Sequence, residues 1–178
     1  KSTMADGRLI LNGAYFMMDW NDFQSTTYNL AFSPVAFVDN VGNAEINGLE
    51  LDATYKIDDS LTVSAYMVSN DPSLSQDYYD VSGVLQANAG NKLAYVPELS
   101  YVLGLDKVLT IFGNPGYITI DYSHTGNRYT SQVNDLKLPS YAIANITFFG
   151  ILSMLIYPYF ANFYFDGQSL LVGLFLGT

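Results

Sequence analysis

The chain has 178 residues, among them 17 Asp or Glu but only 7 Lys or Arg, and its formal net charge is −10. This acidity, without any basic patch, excludes a nucleic-acid-binding protein that works by neutralising phosphates. The chain contains no cysteine and one histidine, which excludes internal disulfides, thiolate metal sites and a nucleophile–base pair. We therefore expect no catalytic residues, no bound metal and no cofactor.

A period of two in the pattern of apolar and polar residues predicts β-strands along most of the chain. The first predicted strand covers residues 9–20 and carries apolar residues on both faces. The second covers residues 47–55 and alternates most clearly, with Leu49, Leu51, Ala53 and Tyr55 set against Glu50, Asp52 and Thr54. Further strands are predicted at residues 61–67, 98–106, 118–123 and 139–149. Their β-branched and aromatic residues favour strands over helices.

The connections between these strands alternate in length. Residues 56–60 (KIDDS) form a tight turn, in which Asp58 and Asp59 are turn-forming residues rather than calcium ligands. Long connections rich in Asn, Ser, Gln, Asp and Gly cover residues 21–43, 70–92 and 125–138. Short turns at one end and long loops at the other are typical of outer-membrane barrels. We therefore expect the three long loops to share one end, outside the cell.

This pattern predicts an all-β fold, an antiparallel up-and-down transmembrane β-barrel with about eight strands present. The aliphatic positions would contact lipid, because a strand in hydrocarbon must have its backbone paired and its exposed side chains apolar. The alternating acidic residues would line a hydrated lumen: Glu50, Asp52, Glu98 and Asp121. The alternative is a soluble β-barrel or sandwich that binds a small ligand, in which the apolar face would point inward.

Residues 141–160 contain no charged side chain and reach the length of a transmembrane helix. A helix is one interpretation. The missing basic flanks and the β-branched and aromatic content favour two strands around Gly150 instead, followed by a last strand at residues 170–176. We treat residues 1–178 as one barrel segment, with strands through residue 149 and with residues 150–178 open between strands and a helix. No plug domain is present in these residues.

Five short motifs occur in order along the chain. They are LNGAYFMMDWNDFQ (residues 11–24), NVGNAEINGLEL (40–51), GNKLAYVPE (90–98), DYSHTGNRY (121–129) and LPSYAIAN (138–145). Together they resemble the carboxy-terminal part of the barrel of TonB-dependent outer-membrane receptors. The strongest match is NVGNAEINGLEL, which fits that family's pattern Asn-x-Gly-x-Ala-x-x-x-Gly-x-Glu. After residue 149 the resemblance fades, and the chain lacks the family's closing aromatic residue.

The resemblance implies a location in the bacterial outer membrane and a fragment of a larger barrel. It implies import of a scarce nutrient, most commonly a ferric siderophore. The implied partners are membrane lipid, together with a plug domain and TonB, neither of which these residues encode. The alternative function is that of an independent eight-stranded outer-membrane barrel with a structural, adhesive or lipid-related role. We expect no enzymatic activity under either of these functional hypotheses.

Candidate substrate contacts lie where strands are predicted to reach the outer rim. These residues are Trp20, His124, Arg128 and Tyr129. For His124 an ordinary rim position is the alternative to a contact with a metal chelate.

Overall fold

The computed structural model describes residues 2–29, 33–80, 82–111, 113–149 and 172–173. These residues form strands and no helix that could span a bilayer. The strands are β1 (Ser2–Met4), β2 (Leu9–Trp20), β3 (Gln24–Asn29), β4 (Ser33–Asn40), β5 (Ala44–Lys56), β6 (Leu61–Leu74), β7 (Tyr78–Tyr79), β8 (Leu85–Ala87), β9 (Leu99–Ile111), β10 (Asn114–Thr125), β11 (Arg128–Tyr129), β12 (Lys137–Leu138), β13 (Tyr141–Phe149) and β14 (Val172–Gly173).

Eight of these strands form one sheet in the order β1-β2-β5-β6-β9-β10-β13-β14. Neighbours from β1 to β13 are antiparallel, whereas β14 pairs with β13 in parallel. The sheet is open across the described residues, with β1 at one edge and β14 at the other. The prediction of an antiparallel all-β segment with about eight strands is therefore confirmed.

The register assigns each strand residue to a face, because residues directly opposite on paired strands point to the same side. The apolar face contains Leu9, Leu11, Leu49, Leu51, Ala53, Val63, Ala65, Met67, Leu103, Leu105, Ile118, Ile120, Ile146 and Phe148. The polar face contains most polar strand residues, among them Asn12, Glu50, Asp52, Thr62, Ser64, Asp106, Thr119, Asp121, Ser123 and Asn145. The alternation in the sequence thus becomes two continuous surfaces, each several strands wide.

Strand β6 is longer than its sequence pattern predicts. The alternation ends near Met67, but β6 continues to Leu74, and its last residues pair with the start of β5. Pro72 lies inside this extension opposite Ile46 and is fully buried. A proline usually indicates the end of a strand, because it cannot donate a backbone hydrogen bond. Pairing with β5 stabilises the extended conformation here despite that loss.

The tight turn and the long connections lie at opposite ends of the sheet. At the short end, Asp58 accepts hydrogen bonds from the hydroxyl and the backbone N–H of Ser60, both at 2.6 Å. These bonds lower the pKa of Asp58, with the side-chain bond as the larger cause. The turn-forming interpretation agrees with this geometry, and the described residues contain no cluster of acids and histidines that could hold a metal.

Each long connection contains its own two-stranded sheet, formed by β3 with β4, β7 with β8 and β11 with β12. The first two of these connections and the adjoining ends of β5 and β6 form a buried cluster that we call the loop core: Val41, Ala44, Leu74, Tyr78, Ala87 and Leu93, with Phe23, Ile46 and Val96 against it. The sequence predicted hydrated surface loops, so this buried cluster is a finding of the structure. It gives the loop end a fixed shape.

Gly48 is required by a close approach within the polar face. A Cβ at this position would overlap the ring of Phe16 on β2 and lie 2.9 Å from the Oδ1 atom of Asn70 on β6. The pairing of β5 runs through Gly48 without a register shift. Of the two roles that a strand glycine can have, a bulge or a close contact, the structure therefore shows the second.

The end of the chain is described only in part. Residues 141–149 form β13, so the interpretation of residues 141–160 as a helix is wrong for its first half. Residues 150–160, including the strand predicted after Gly150, lie outside the described residues. The last predicted strand, at residues 170–176, is represented by the two residues of β14.

Candidate ligand site at the loop end

Hydrogen bonds between side chains join the three hairpins. Tyr78 on β7 donates its hydroxyl hydrogen to Oδ2 of Asp39 on β4 at 2.7 Å. Gln132, in the loop between β11 and β12, donates through Nε2 to the hydroxyl of Ser25 on β3 at 3.0 Å. Gln132 is buried although it is polar, and 107 residues separate it from Ser25. These contacts fix the first loop against the second and the third.

A second set of bonds fixes the third loop to the segment that leads into β9. Asn134 accepts a hydrogen bond from the backbone N–H of Lys92 at 2.7 Å and donates one to its carbonyl at 2.8 Å. Asn91 donates to the carbonyl of Gln132 at 2.8 Å. The side-chain amide of Asn134 thus bonds both the backbone N–H and the backbone carbonyl of Lys92, so the position of the third loop relative to this segment is fixed.

The hairpins enclose a pocket of about 480 Å³. This volume lies within the usual range of roughly 300–1,000 Å³ for small-molecule sites. We call it the loop pocket, and its lining includes Tyr78, Gln86, Tyr95, Thr130, Gln132 and Asp135. Hydroxyl, amide and aromatic groups predominate among these side chains, and Asp135 is the one charged residue that the described part of the chain contributes to the lining.

Tyr95 has a strained backbone at this pocket. Its φ of 63° lies in the left-handed region, which bulky residues rarely adopt. A hydrogen bond from its backbone N–H to the carbonyl of Tyr129, at 2.8 Å, holds this conformation. Its side chain is 64% exposed. Strain of this kind occurs disproportionately at functional sites, so Tyr95 is a stronger candidate contact than any tyrosine of the regular strands.

The cations near the loop end are engaged elsewhere. Lys92 forms ion pairs with Asp71 and, at 3.5 Å, with Glu98. The hydrogen bond to Asp71 is the main cause of the raised pKa of Lys92. The ammonium of Lys137 lies 5.5 Å from the centre of the Tyr129 ring, within the range of a cation–π contact.

Arg128 and Tyr129, two of the predicted contacts, are adjacent on β11. The guanidinium of Arg128 lies over the ring of Tyr141, with its central carbon 5.2 Å from the ring centre. Its Nη1 atom is buried and has no hydrogen-bond partner among the described residues. The carbonyl of Tyr129 fixes Tyr95, so Tyr129 supports the loop pocket through its backbone.

The other two predicted contacts lie apart from this pair. Trp20 ends β2, and its ring meets that of Phe23 edge-on at 4.7 Å. His124 stacks on Tyr101 at 4.9 Å, and the register places both on the apolar face. Three strands of the sheet, β5, β6 and β9, separate Trp20 on β2 from His124 on β10. The structure therefore does not bring the four residues into one site.

Of the four residues predicted to line a lumen, three lie on the polar face of the sheet and one lies elsewhere. Glu50, Asp52 and Asp121 lie on the polar face, where Asp52 accepts a hydrogen bond from Asn12 at 2.7 Å. Glu98 precedes β9 and belongs to the ion-pair cluster around Lys92. The residues of the loop pocket were missed by sequence reasoning, since polar loop residues far apart in the chain give no periodic signal.

A protein-family model described as TonB dependent receptor-like, beta-barrel, matches residues 2–153. The chain belongs to this family. The prediction of a TonB-dependent receptor barrel, made from the five motifs, is confirmed, and the open sheet described above is a segment of such a barrel.

Solved TonB-dependent receptor structures share this fold. The ferric yersiniabactin uptake receptor FyuA from Yersinia pestis is 18% identical, with a TM-score of 0.58 over 77% of this chain and 19% of its own. BauA, the ferric preacinetobactin receptor from Acinetobacter baumannii, is 14% identical, with a TM-score of 0.59 over 79% of this chain and 20% of BauA. The siderophore receptor PiuA, also from Acinetobacter baumannii, is 20% identical, with a TM-score of 0.57 over 79% of this chain and 19% of PiuA. The chain thus spans about a fifth of their length. No curated protein matches the sequence.

Proposed function

We propose that this chain is part of an outer-membrane TonB-dependent receptor that imports a scarce nutrient, and that the nutrient is a ferric siderophore. The family match over residues 2–153 carries the proposal. The loop pocket supports it, because it provides a shaped site at one end of the strands. The names of the three structural neighbours, which are siderophore receptors, are the reason to favour siderophores.

In this proposal the apolar face contacts membrane lipid and the polar face borders the lumen. Only a closed barrel satisfies the backbone of strands in hydrocarbon. Glu50, Asp52 and Asp121 then remain hydrated on the inside, while Leu51 and its neighbours contact acyl chains. The long loops, with the loop pocket, lie outside the cell, where a scarce ligand first arrives.

Transport in this proposal depends on more than the present strands. A barrel closed from eight strands is filled by its own side chains, which leaves no path for a chelate. We infer that further strands complete the barrel, that a plug domain occupies its lumen and that TonB supplies the energy. The role of this chain is binding and passage of the ligand, without a catalytic step.

The proposal is tested by uptake of radioactive iron in a strain that lacks the complete receptor. We expect uptake of one class of ferric siderophore to be lost in this strain and in a TonB-deficient strain, and restored by the receptor gene only when TonB is present. Unchanged uptake of every siderophore tested would reject a ferric siderophore as the imported nutrient. TonB-independent restoration would reject the receptor function itself.

A further inference from the structure

We propose that the loop pocket selects an uncharged ligand rich in hydroxyl and amide groups. The inference rests on the proposed receptor function and specifies the chemical class of its substrate. It concerns the ligand that the described loops bind outside the barrel, and it is carried by the lining of the pocket, the exposed ring of Tyr95 and the placement of the nearby charges.

The lining offers neutral hydrogen-bonding groups next to aromatic surface. Gln86, Thr130 and Gln132 bring amide and hydroxyl groups to the lining, while Tyr78 and Tyr95 bring rings. Gln86 donates to Asp80, Thr130 to the carbonyl of Leu136 and Gln132 to Ser25, so the oxygen atoms of these three side chains are the groups that can accept hydrogen bonds from a ligand. Pockets that bind small molecules combine apolar surface with a few placed polar groups in this way. A ligand with many hydroxyl or amide groups and flat apolar surfaces is complementary to both parts of the lining.

Hydrogen bonds within the protein hold the walls of the pocket. Tyr78 is held by Asp39, and Gln132 is held by Ser25, so two walls are fixed by bonds between different loops. The strained backbone of Tyr95 holds a mostly exposed ring at the third wall. Fixed walls reduce the ordering cost that binding would otherwise incur.

The charges argue against an anionic ligand in this pocket. Among the described residues no lysine or arginine lines it, and Asp135 contributes a negative charge. Outside the lining, Lys92 is paired with Asp71 and Glu98, and Lys137 lies over the ring of Tyr129. Arg128 lies over the ring of Tyr141, and its Nη1 atom has no hydrogen-bond partner among the described residues, but Arg128 is not part of the lining. An anion would therefore lose its hydration in the pocket without gaining a counter-charge.

Binding to the complete receptor, purified in detergent, tests this inference by calorimetric titration. The three compounds are an uncharged ferric trihydroxamate, an uncharged trisaccharide and an anionic ferric tris-catecholate. We expect at least one uncharged compound to bind about tenfold or more tightly than the anion. The two uncharged compounds distinguish a neutral chelate from a carbohydrate as the source of the same chemistry.

Variants at Tyr95 show whether binding occurs in the loop pocket. Tyr95→Gly removes the ring and suits a φ of 63°, so it leaves the fold intact. We expect it to weaken binding of the uncharged compound about tenfold, while Tyr95→Phe retains the affinity. Tyr79→Ala is the matched control, because it removes a ring that is 53% exposed and lies outside the pocket lining.

Three results would overturn the inference: binding by neither uncharged compound, anion binding at least as tight, or full affinity in Tyr95→Gly. TonB-dependent uptake measured with the same variants separates the two proposals. Uptake of an anionic chelate that Tyr95→Gly does not change would reject the inference and leave the receptor function standing. Intact pocket binding without TonB-dependent uptake would reject the receptor function and leave the inference standing.

Discussion

Replacement of Leu51 by arginine is expected to destabilise the barrel by ~2–4 kcal/mol. Leu51 lies near the middle of β5 on the apolar face, opposite Gly13 on β2 and Met67 on β6. In the proposed orientation a guanidinium at this depth has neither water nor a carboxylate to contact. The measurement is denaturant unfolding of the complete receptor in lipid vesicles, followed by tyrosine and tryptophan fluorescence and by heat-modifiable mobility on gels.

Two variants on the polar face serve as controls. Tyr66→Arg introduces the same side chain opposite Asp52, where water and a carboxylate are available. Asp52→Asn keeps an oxygen that can accept the hydrogen bond from Asn12. Both should change the free energy of unfolding by less than about 1 kcal/mol, as is usual for exposed polar positions. Equal destabilisation by Leu51→Arg and Tyr66→Arg would contradict the assignment of the apolar face to lipid.

Replacement of Leu93 by alanine is expected to weaken the loop end by ~2–4 kcal/mol, because it leaves a cavity in a packed cluster. Leu93 is 2% exposed and belongs to the loop core. Its backbone N–H donates to the carbonyl of Pro72 at 3.1 Å, so it also joins the second loop to the end of β6.

This local effect is measured by hydrogen exchange and limited proteolysis of the complete receptor. Residues 75–98 should exchange and be cleaved faster in Leu93→Ala, while residues 47–56 and 99–111 keep their protection. Leu85→Ala is the control, since Leu85 is 45% exposed on β8 in the same loop. Identical protection of the loop in both variants would show that the loop core does not hold the hairpins together.

The main sheet could be predicted because each of its strands carries its own signal. In β5 the alternation of Leu49 and Leu51 with Glu50 and Asp52 indicates both the strand and its two faces. The same parity also applies to β10, where Ile120, Tyr122 and His124 are on one face. That parity was sufficient to place His124 on the apolar face, although His124 was predicted to be a substrate contact at the outer rim.

The loop end could not be predicted because its contacts join residues far apart in the chain. Val41 and Leu93 are single apolar residues in polar stretches, and they become a core only when two loops meet. Gln132 resembles any hydrated loop residue until Ser25 is placed beside it. The left-handed conformation of Tyr95 depends on the backbone of Tyr129 and has no local signature such as glycine.

Cysteine labelling on intact cells tests the central claim most directly, namely that this segment crosses the outer membrane with its long loops outside and its tight turn inside. The chain contains no native cysteine. Single cysteines replace Ser82 between β7 and β8, Val133 between β11 and β12, and Asp59 in the tight turn, all of which are exposed. With a membrane-impermeant maleimide, we expect labelling at 82 and 133 in intact cells and at 59 only after lysis. Labelling at 59 before lysis, or at none of the three positions until lysis, would contradict the account.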